Sequence, residues 1–233
     1  MSRRRELPLL VLASVGVWLI FEAYNLHLRN WRYEGLPASS LARDLGYFWS
    51  FATIMPGVFE ASDLCLAILE RRRPAVRIPN SMGRVGRPWA WSIAGIAMIT
   101  IPLALPPETA ALLFGAVWIG FFLLLDPLNE MLGLPALRQR WSLGDRRLIH
   151  SHLLRGMICG LLWESWNLQA AAAGGAYWIY IFPEALRPLG LRFGQMPVMG
   201  LLGFPPFALE LFGFYQFIRQ ILGGDRVYSP GHS

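Results

Sequence analysis

The sequence predicts an all-α, polytopic membrane bundle of about six transmembrane helices, and three observations predict it. The chain is 55% hydrophobic and only 15% charged, with a mean hydropathy of +0.40, where a soluble chain carries about 25% charged residues. Long apolar runs recur, each near the roughly 17–25 residues that cross about 30 Å of hydrocarbon. The arginines fall mostly in alternate loops, as the orientation of membrane helices requires. The runs are continuous and do not alternate every second residue, which argues against a barrel.

The first span is Leu7–Leu28. Its basic start, Arg3-Arg4-Arg5, resembles a signal peptide, but no cleavage site is evident, and the segment holds half of an internal repeat. It is therefore expected to remain as an uncleaved helix. The second span, Tyr47–Leu69, runs into Arg71-Arg72-Arg73, and Gly83, Gly86 and Pro88 mark a linker after it. Trp89–Leu105 and Thr109–Leu125 form a hairpin through Pro106-Pro107-Glu108, where proline closes one helix and opens the next. A loop, Asp126–Ser151, follows, with a turn at Trp141-Ser142-Leu143-Gly144-Asp145. His152–Ala173 and Pro197–Ile218 are the last two spans, and residues 1–233 make one integral membrane domain.

The net charge of +6 and pI near 9.9 do not point to nucleic acid, because the placement of the charge follows the membrane. All 21 basic residues are arginine. With a cytoplasmic N-terminus, the inner side holds Arg3 to Arg5, Arg71 to Arg73, Arg77, Arg84, Arg87, Arg138, Arg140, Arg146, Arg147, Arg219 and Arg226. The outer side holds Arg29, Arg32, Arg43, Arg187 and Arg192. That asymmetry predicts a plasma (inner) membrane protein with both termini cytoplasmic. Cys65 and Cys159 both fall inside spans and read as small buried hydrophobes.

Two segments share an order of residues that composition would not produce twice. Phe21-Glu22-Ala23-Tyr24-Asn25 is matched by Trp163-Glu164-Ser165-Trp166-Asn167. Each leads to Trp-x-Tyr (Trp31 and Tyr33; Trp178 and Tyr180), then to a proline (Pro37; Pro183), then to Pro-x-x-x-Glu (Pro56 and Glu60; Pro206 and Glu210). The copies run over about 7–69 and 152–218, with the helical hairpin 89–125 inserted between them. An even number of spans separates them, so the repeat is expected to be parallel, about an axis along the membrane normal.

The shared elements include ionisable groups inside apolar helices, where a charge costs about 2.5–3.5 kcal/mol at the bilayer centre on insertion scales. Counting the helical rise from the span ends puts Glu22, Glu60, Glu164 and Glu210 near the midplane. They are expected to point inward and pool as acid–base groups. Asn25 and Asn167, three residues on, share the face of their acids, and Asp63 stands three residues after Glu60. Tyr24, Trp163 and Trp166 adjoin the acids and are expected to line a cavity with Trp178 and Tyr180, the latter two alternatively forming an aromatic belt at the outer surface with Trp31 and Tyr33.

Three functions compete at this level. The pattern favours an embedded enzyme acting on a lipid or isoprenoid by carboxyl acid–base chemistry, since raised carboxyl pKa values and aromatic faces suit protonation and cation stabilisation. A variant of it has the four glutamates, Asn25 and Asn167 holding a divalent ion as oxygen ligands. A proton- or cation-coupled transporter and a structural or assembly subunit of a larger membrane complex are the alternatives. Membrane lipids and a hydrophobic small molecule are the expected partners. The sequence designates no cofactor: phosphate-loop, zinc-protease, nucleophile and dinucleotide motifs are absent, and no histidine pair is placed to hold haem.

Overall fold

The computed structural model describes residues 6–61 and 86–222. Asp63, Cys65, the end of the second span, the arginines from Arg71 to Arg84, Arg3 to Arg5 and Arg226 lie outside them. The chain is mostly helical: α1 (Leu7–Leu28), α2 (Ser40–Ala52), α3 (helical over 54–61), α4 (Pro88–Ala104), α5 (Pro107–Ala110), α6 (Phe114–Met131), α7 (Leu137–Ser142), α8 (Arg147–Ala172), α9 (Val198–Leu201) and α10 (Phe204–Ile221). Four short strands join them: β1 (Trp31–Glu34), β2 (Tyr177–Tyr180), β3 (Arg192–Phe193) and β4 (Met196–Pro197).

Three helical stretches are long and apolar enough to cross a membrane: Leu7–Leu28, Pro107–Met131 and Val198–Ile221. α4 is apolar but shorter. α8 is the longest helix, yet Arg147, His150, His152, Arg155, Glu164, Asn167 and Gln169 dilute its apolar character. The expected second span is not one rod. α2 ends at Ala52, Thr53 is a turn, and helix resumes at residue 54. Pro56 supplies the reason, since its ring has no N–H to give and crowds the carbonyl four residues back, at Ala52. Pro206 acts likewise at the start of α10, where the break at Leu202-Gly203 separates it from α9.

The helices pack around an aromatic core of Phe21, Trp118, Phe121, Phe204, Phe207 and Phe214. Phe21 sits edge-on to Trp118, Phe121 and Phe207 at 5.6–6.0 Å, a favoured geometry for aromatic quadrupoles. Small residues let the backbones close up. A Cβ at Gly95 of α4 would meet the Gly120 carbonyl of α6 at 2.6 Å, and one at Gly156 of α8 would meet the Phe204 carbonyl of α10 at 2.4 Å. The Gly156-x-x-x-Gly160 spacing is thus a close helix crossing, with Phe204 filling the groove above Gly160. By contrast, Leu12, Leu19 and Leu26 recur every seven residues along α1 and are exposed, one outward stripe.

The two ends of the bundle are fixed differently. At one end Glu6 binds Arg219 (2.7 Å) and accepts from the Tyr215 hydroxyl (2.7 Å), joining the start of α1 to the close of α10. Nearby, the expected loop 126–151 is in fact largely helical. Asp126 on α6 accepts from the backbone N–H of Leu137 (2.6 Å) and Arg138 (2.9 Å), serving as cap for α7, and Glu130 pairs with Arg138. Of the turn expected over Trp141–Asp145, Trp141 and Ser142 end α7 and the turn itself follows at Leu143-Gly144, with Gly144 at φ 79°. At the other end, the loops after α1 and α8 meet as a two-stranded antiparallel ribbon: β1 and β2 pair Trp31 with Tyr180 and Tyr33 with Trp178. This ribbon, and the β3–β4 hairpin beside it, are strands that an all-helical reading leaves out.

Candidate functional site

The ribbon organises the site. Side chains two apart on a strand share a face, and directly opposed residues share it too. Trp31, Tyr33, Trp178 and Tyr180 therefore form one four-aromatic face. Each strand is held to the helix before it by the same asparagine clamp. Asn25 accepts from the Trp31 N–H (3.1 Å) and donates to the Trp31 carbonyl (2.8 Å). Asn167 accepts from the Trp178 N–H (2.8 Å) and donates to the Trp178 carbonyl (2.9 Å). A primary amide, donor and acceptor on one group, imitates a strand partner here. The asparagines are thus engaged mainly with backbone rather than with the acids; only Asn167 also reaches its acid, at 3.4 Å from Glu164 Oε2.

The two acids under the ribbon are held by different means. Glu22 Oε1 accepts from the Tyr33 hydroxyl (2.5 Å), the Trp18 indole (2.8 Å) and the Trp31 indole (3.2 Å). Among the described residues no hydrogen bond reaches Glu22 Oε2, and the residue is half-buried. Glu164 is fully buried, and its Oε1 accepts from the backbone N–H of Gln195 (2.5 Å) and Met196 (3.1 Å). That carboxyl ties α8 to the β3–β4 turn. Gly194 makes the approach possible: its φ of 61° is left-handed, and a Cβ there would stand 2.7 Å from Glu164 Oε1.

Tyr33 and Tyr180 of the ribbon are neutral, Tyr33 donating to Glu22 and Tyr180 accepting from Trp178. Burial pushes the Tyr33 phenol pKa well above its ordinary value, and the neighbouring Glu22 charge pushes the same way. Burial, reinforced by Glu164, also raises the phenol of Tyr180. Trp178 donates its indole N–H to the Tyr180 oxygen (2.7 Å), so the second half of the ribbon closes on itself where the first closes on Glu22.

The remaining expected site residues are elsewhere. Glu60 is exposed on α3, against the expectation that it points inward. Glu210 is fully buried on α10 facing the α6 backbone at Phe122, and neither carboxyl oxygen has a hydrogen-bond partner in the described structure. Among the described residues no hydrogen bond joins Glu22, Glu164 and Glu210. Among the described residues no group of three or more His, Cys, Asp or Glu is placed to hold a metal ion. Tyr24 turns away from Glu22 and donates to the Ile99 carbonyl of α4 (2.9 Å). Trp163 packs on Phe204 at 5.7 Å, and Trp166 is 58% exposed, so neither surrounds the acids.

Several residues of the site carry no mark in the repeat comparison. Trp18 precedes Glu22 by one helical turn, a spacing that shares a face and could have been read. Asn30 is buried and donates to the Ala111 carbonyl (3.0 Å), while its own carbonyl accepts from the Ile181 N–H (2.7 Å), extending the ribbon. Gln195 and Met196 act through backbone, which sequence cannot announce. Beside the ribbon lies a cavity of about 310 Å³, walled by Trp31 and Tyr180, by Phe114 and Trp118 of α6, and by Phe204 of α10. The chain matches no protein-family model, no curated protein and no solved structure.

Proposed function

We propose that the chain is a multi-pass protein of the plasma (inner) membrane whose two halves, 7–69 and 152–218, are parallel copies, and that it is an enzyme acting on a lipid or isoprenoid through Glu22. The matched asparagine clamps and the reciprocal pairing of Trp31 with Tyr180 and Tyr33 with Trp178 support the repeat. Six spans with both ends cytoplasmic follow from the arginine asymmetry. The carrying observation for chemistry is Glu22 itself: one oxygen fixed by three side-chain donors, the other without a hydrogen bond among the described residues. Such a carboxyl is oriented before any substrate arrives, which is what proton transfer requires. The indoles of Trp18 and Trp31 beside it offer faces that stabilise a developing cation.

Glu164 then serves as the anchor of the second copy rather than as a second catalytic group, and Glu210 stands apart from both. Expression of the wild-type chain and of Glu22→Gln in a bacterial host, followed by analysis of total lipid extracts, tests the reading. A lipid species that appears with the wild type and is missing with Glu22→Gln is expected. Identical extracts from the two would remove the enzymatic role.

A subunit role has one observation in its favour. Leu41, Leu45, Phe48 and Trp49 form an exposed apolar face on α2, a surface suited to the membrane interface or to a partner helix. Purification in mild detergent decides between them: a monodisperse monomer leaves α2 to the membrane interface, and a stable companion chain assigns it to assembly.

A further inference from the structure

The cavity beside the ribbon is not the Glu22 site. Trp31 stands between them, lining the cavity while its indole N–H is turned to Glu22. At about 310 Å³ the space lies at the small end for ligand pockets, the size of one chain rather than a whole lipid. Its walls are Trp31, Phe114, Trp118, Tyr180, Phe182 and Phe204, closed by aliphatic side chains. Walls of this composition offer water few hydrogen bonds, so an apolar occupant is favoured over solvent.

Two further observations define the occupant. Leu112, Ile119, Met199 and Leu202 line the cavity and are also exposed, at 40–53%. They belong to the two stretches, Pro107–Met131 and Val198–Ile221, that are apolar and long enough to cross a membrane. The mouth therefore opens sideways, between membrane-compatible helices, where acyl chains lie. Trp118, which lines the cavity and is only 8% exposed, has a buried indole N–H without a hydrogen-bond partner. An acceptor oxygen on the occupant would satisfy that donor.

We infer that this cavity is a lateral binding site for a single hydrocarbon chain bearing an acceptor oxygen, the chemistry shared by a fatty acyl group and a prenyl alcohol. The inference rests on the membrane reading of the chain but not on any chemistry at Glu22.

Photolabelling of the full-length protein in detergent tests it, with a diazirine fatty acid in one arm and a diazirine prenyl alcohol in the other. Labels are expected on Ile119, Met199 and Leu202, and excess unlabelled probe of the preferred class should compete them away. Gly115 lines the cavity and a Cβ there meets nothing within 4 Å. Gly115→Leu should therefore fill the space and cut labelling at least ten-fold while the unfolding temperature holds. Trp118→Phe, lacking the N–H, should label with severalfold weaker affinity. If Gly115→Leu does not fold, competition on the wild type decides alone. Labelling spread evenly over the outward stripe of Leu12, Leu19 and Leu26, without competition, would overturn the site. Labelling by both probes at the cavity supports the site and leaves chain selectivity to their relative competition. Glu22→Gln should label as the wild type does, so loss of the lipid product without loss of labelling separates the two claims, as does the reverse.

Discussion

The two halves of the ribbon carry the same clamp and unlike acids. Asn25 and Asn167 each bind both backbone groups of the tryptophan in their Trp-x-Tyr strand, within 0.3 Å of one another in every distance. Glu22 then receives three side-chain donors on one oxygen and keeps the other without a hydrogen bond among the described residues, whereas Glu164 spends Oε1 on two backbone amides. One motif thus supplies the same clamp twice and two acids held by different donors. Equivalent position in a repeat is evidence for equivalent placement, and not for equivalent chemistry.

The comparison breaks most visibly at Glu164. Glu164→Ala leaves the half-buried Gln195 and buried Met196 amides without their acceptor and should destabilise by about 3–4 kcal/mol, counting two lost charge-assisted bonds. Glu164→Gln retains an oxygen and should recover about half of that. Thermal unfolding in detergent measures both; a loss below about 1 kcal/mol for the alanine variant would deny the anchoring role.

The clamps sharpen it next. Asn25→Ala and Asn167→Ala should each cost about 2–3 kcal/mol, from two backbone groups left unpaired. Asn25→Ala should cost the more, because Asn25 Oδ1 also accepts from the Asn30 N–H (2.8 Å). A large effect at one asparagine and none at the other would show that the matched geometry is not matched energetically.

Much of this was open to inspection in the residues themselves. The order acid, asparagine, Trp-x-Tyr marked both halves of the ribbon, and Gly156-x-x-x-Gly160 marked a helix crossing. Other parts were not legible, for physical reasons. Strands of four residues embedded between long apolar helices leave too short a pattern to separate from loop. Asp126 and Glu130 resemble a functional acidic cluster, but a cap contact to α7 depends on where the chain returns, which no local pattern encodes. Counting the helical rise from the span end puts Glu60 at the depth of the other acids, yet Pro56 breaks the helix and α3 leaves Glu60 exposed. Asp63, linked to it by spacing, falls outside the described residues.

Smaller effects distinguish the tyrosines. Tyr33→Phe removes one donor of three from Glu22 and should cost about 1 kcal/mol, while Tyr180→Phe removes an acceptor from Trp178 and leaves Glu22 untouched. The smallest is a pH effect. The buried Tyr33 and Tyr180 phenols ionise well above the usual value near 10, whereas the unfolded chain loses those protons near pH 10. Their contribution to stability is therefore complete below pH 10 and falls as pH rises beyond it. Ultraviolet titration should show neither phenol in the step near pH 10, so Tyr33→Phe should leave the amplitude of that step unchanged; a reduced step would place Tyr33 in contact with solvent.

The most direct measurement pairs Glu22→Gln with Glu164→Gln in one host, scoring each for unfolding temperature and for the lipid extract. The account predicts that Glu22→Gln keeps the unfolding temperature within a few degrees and loses the lipid product by about 10²–10⁴-fold. Glu164→Gln should lower the temperature while product per folded molecule survives. An unchanged extract with Glu22→Gln, or product loss with Glu164→Gln at full stability, would contradict it.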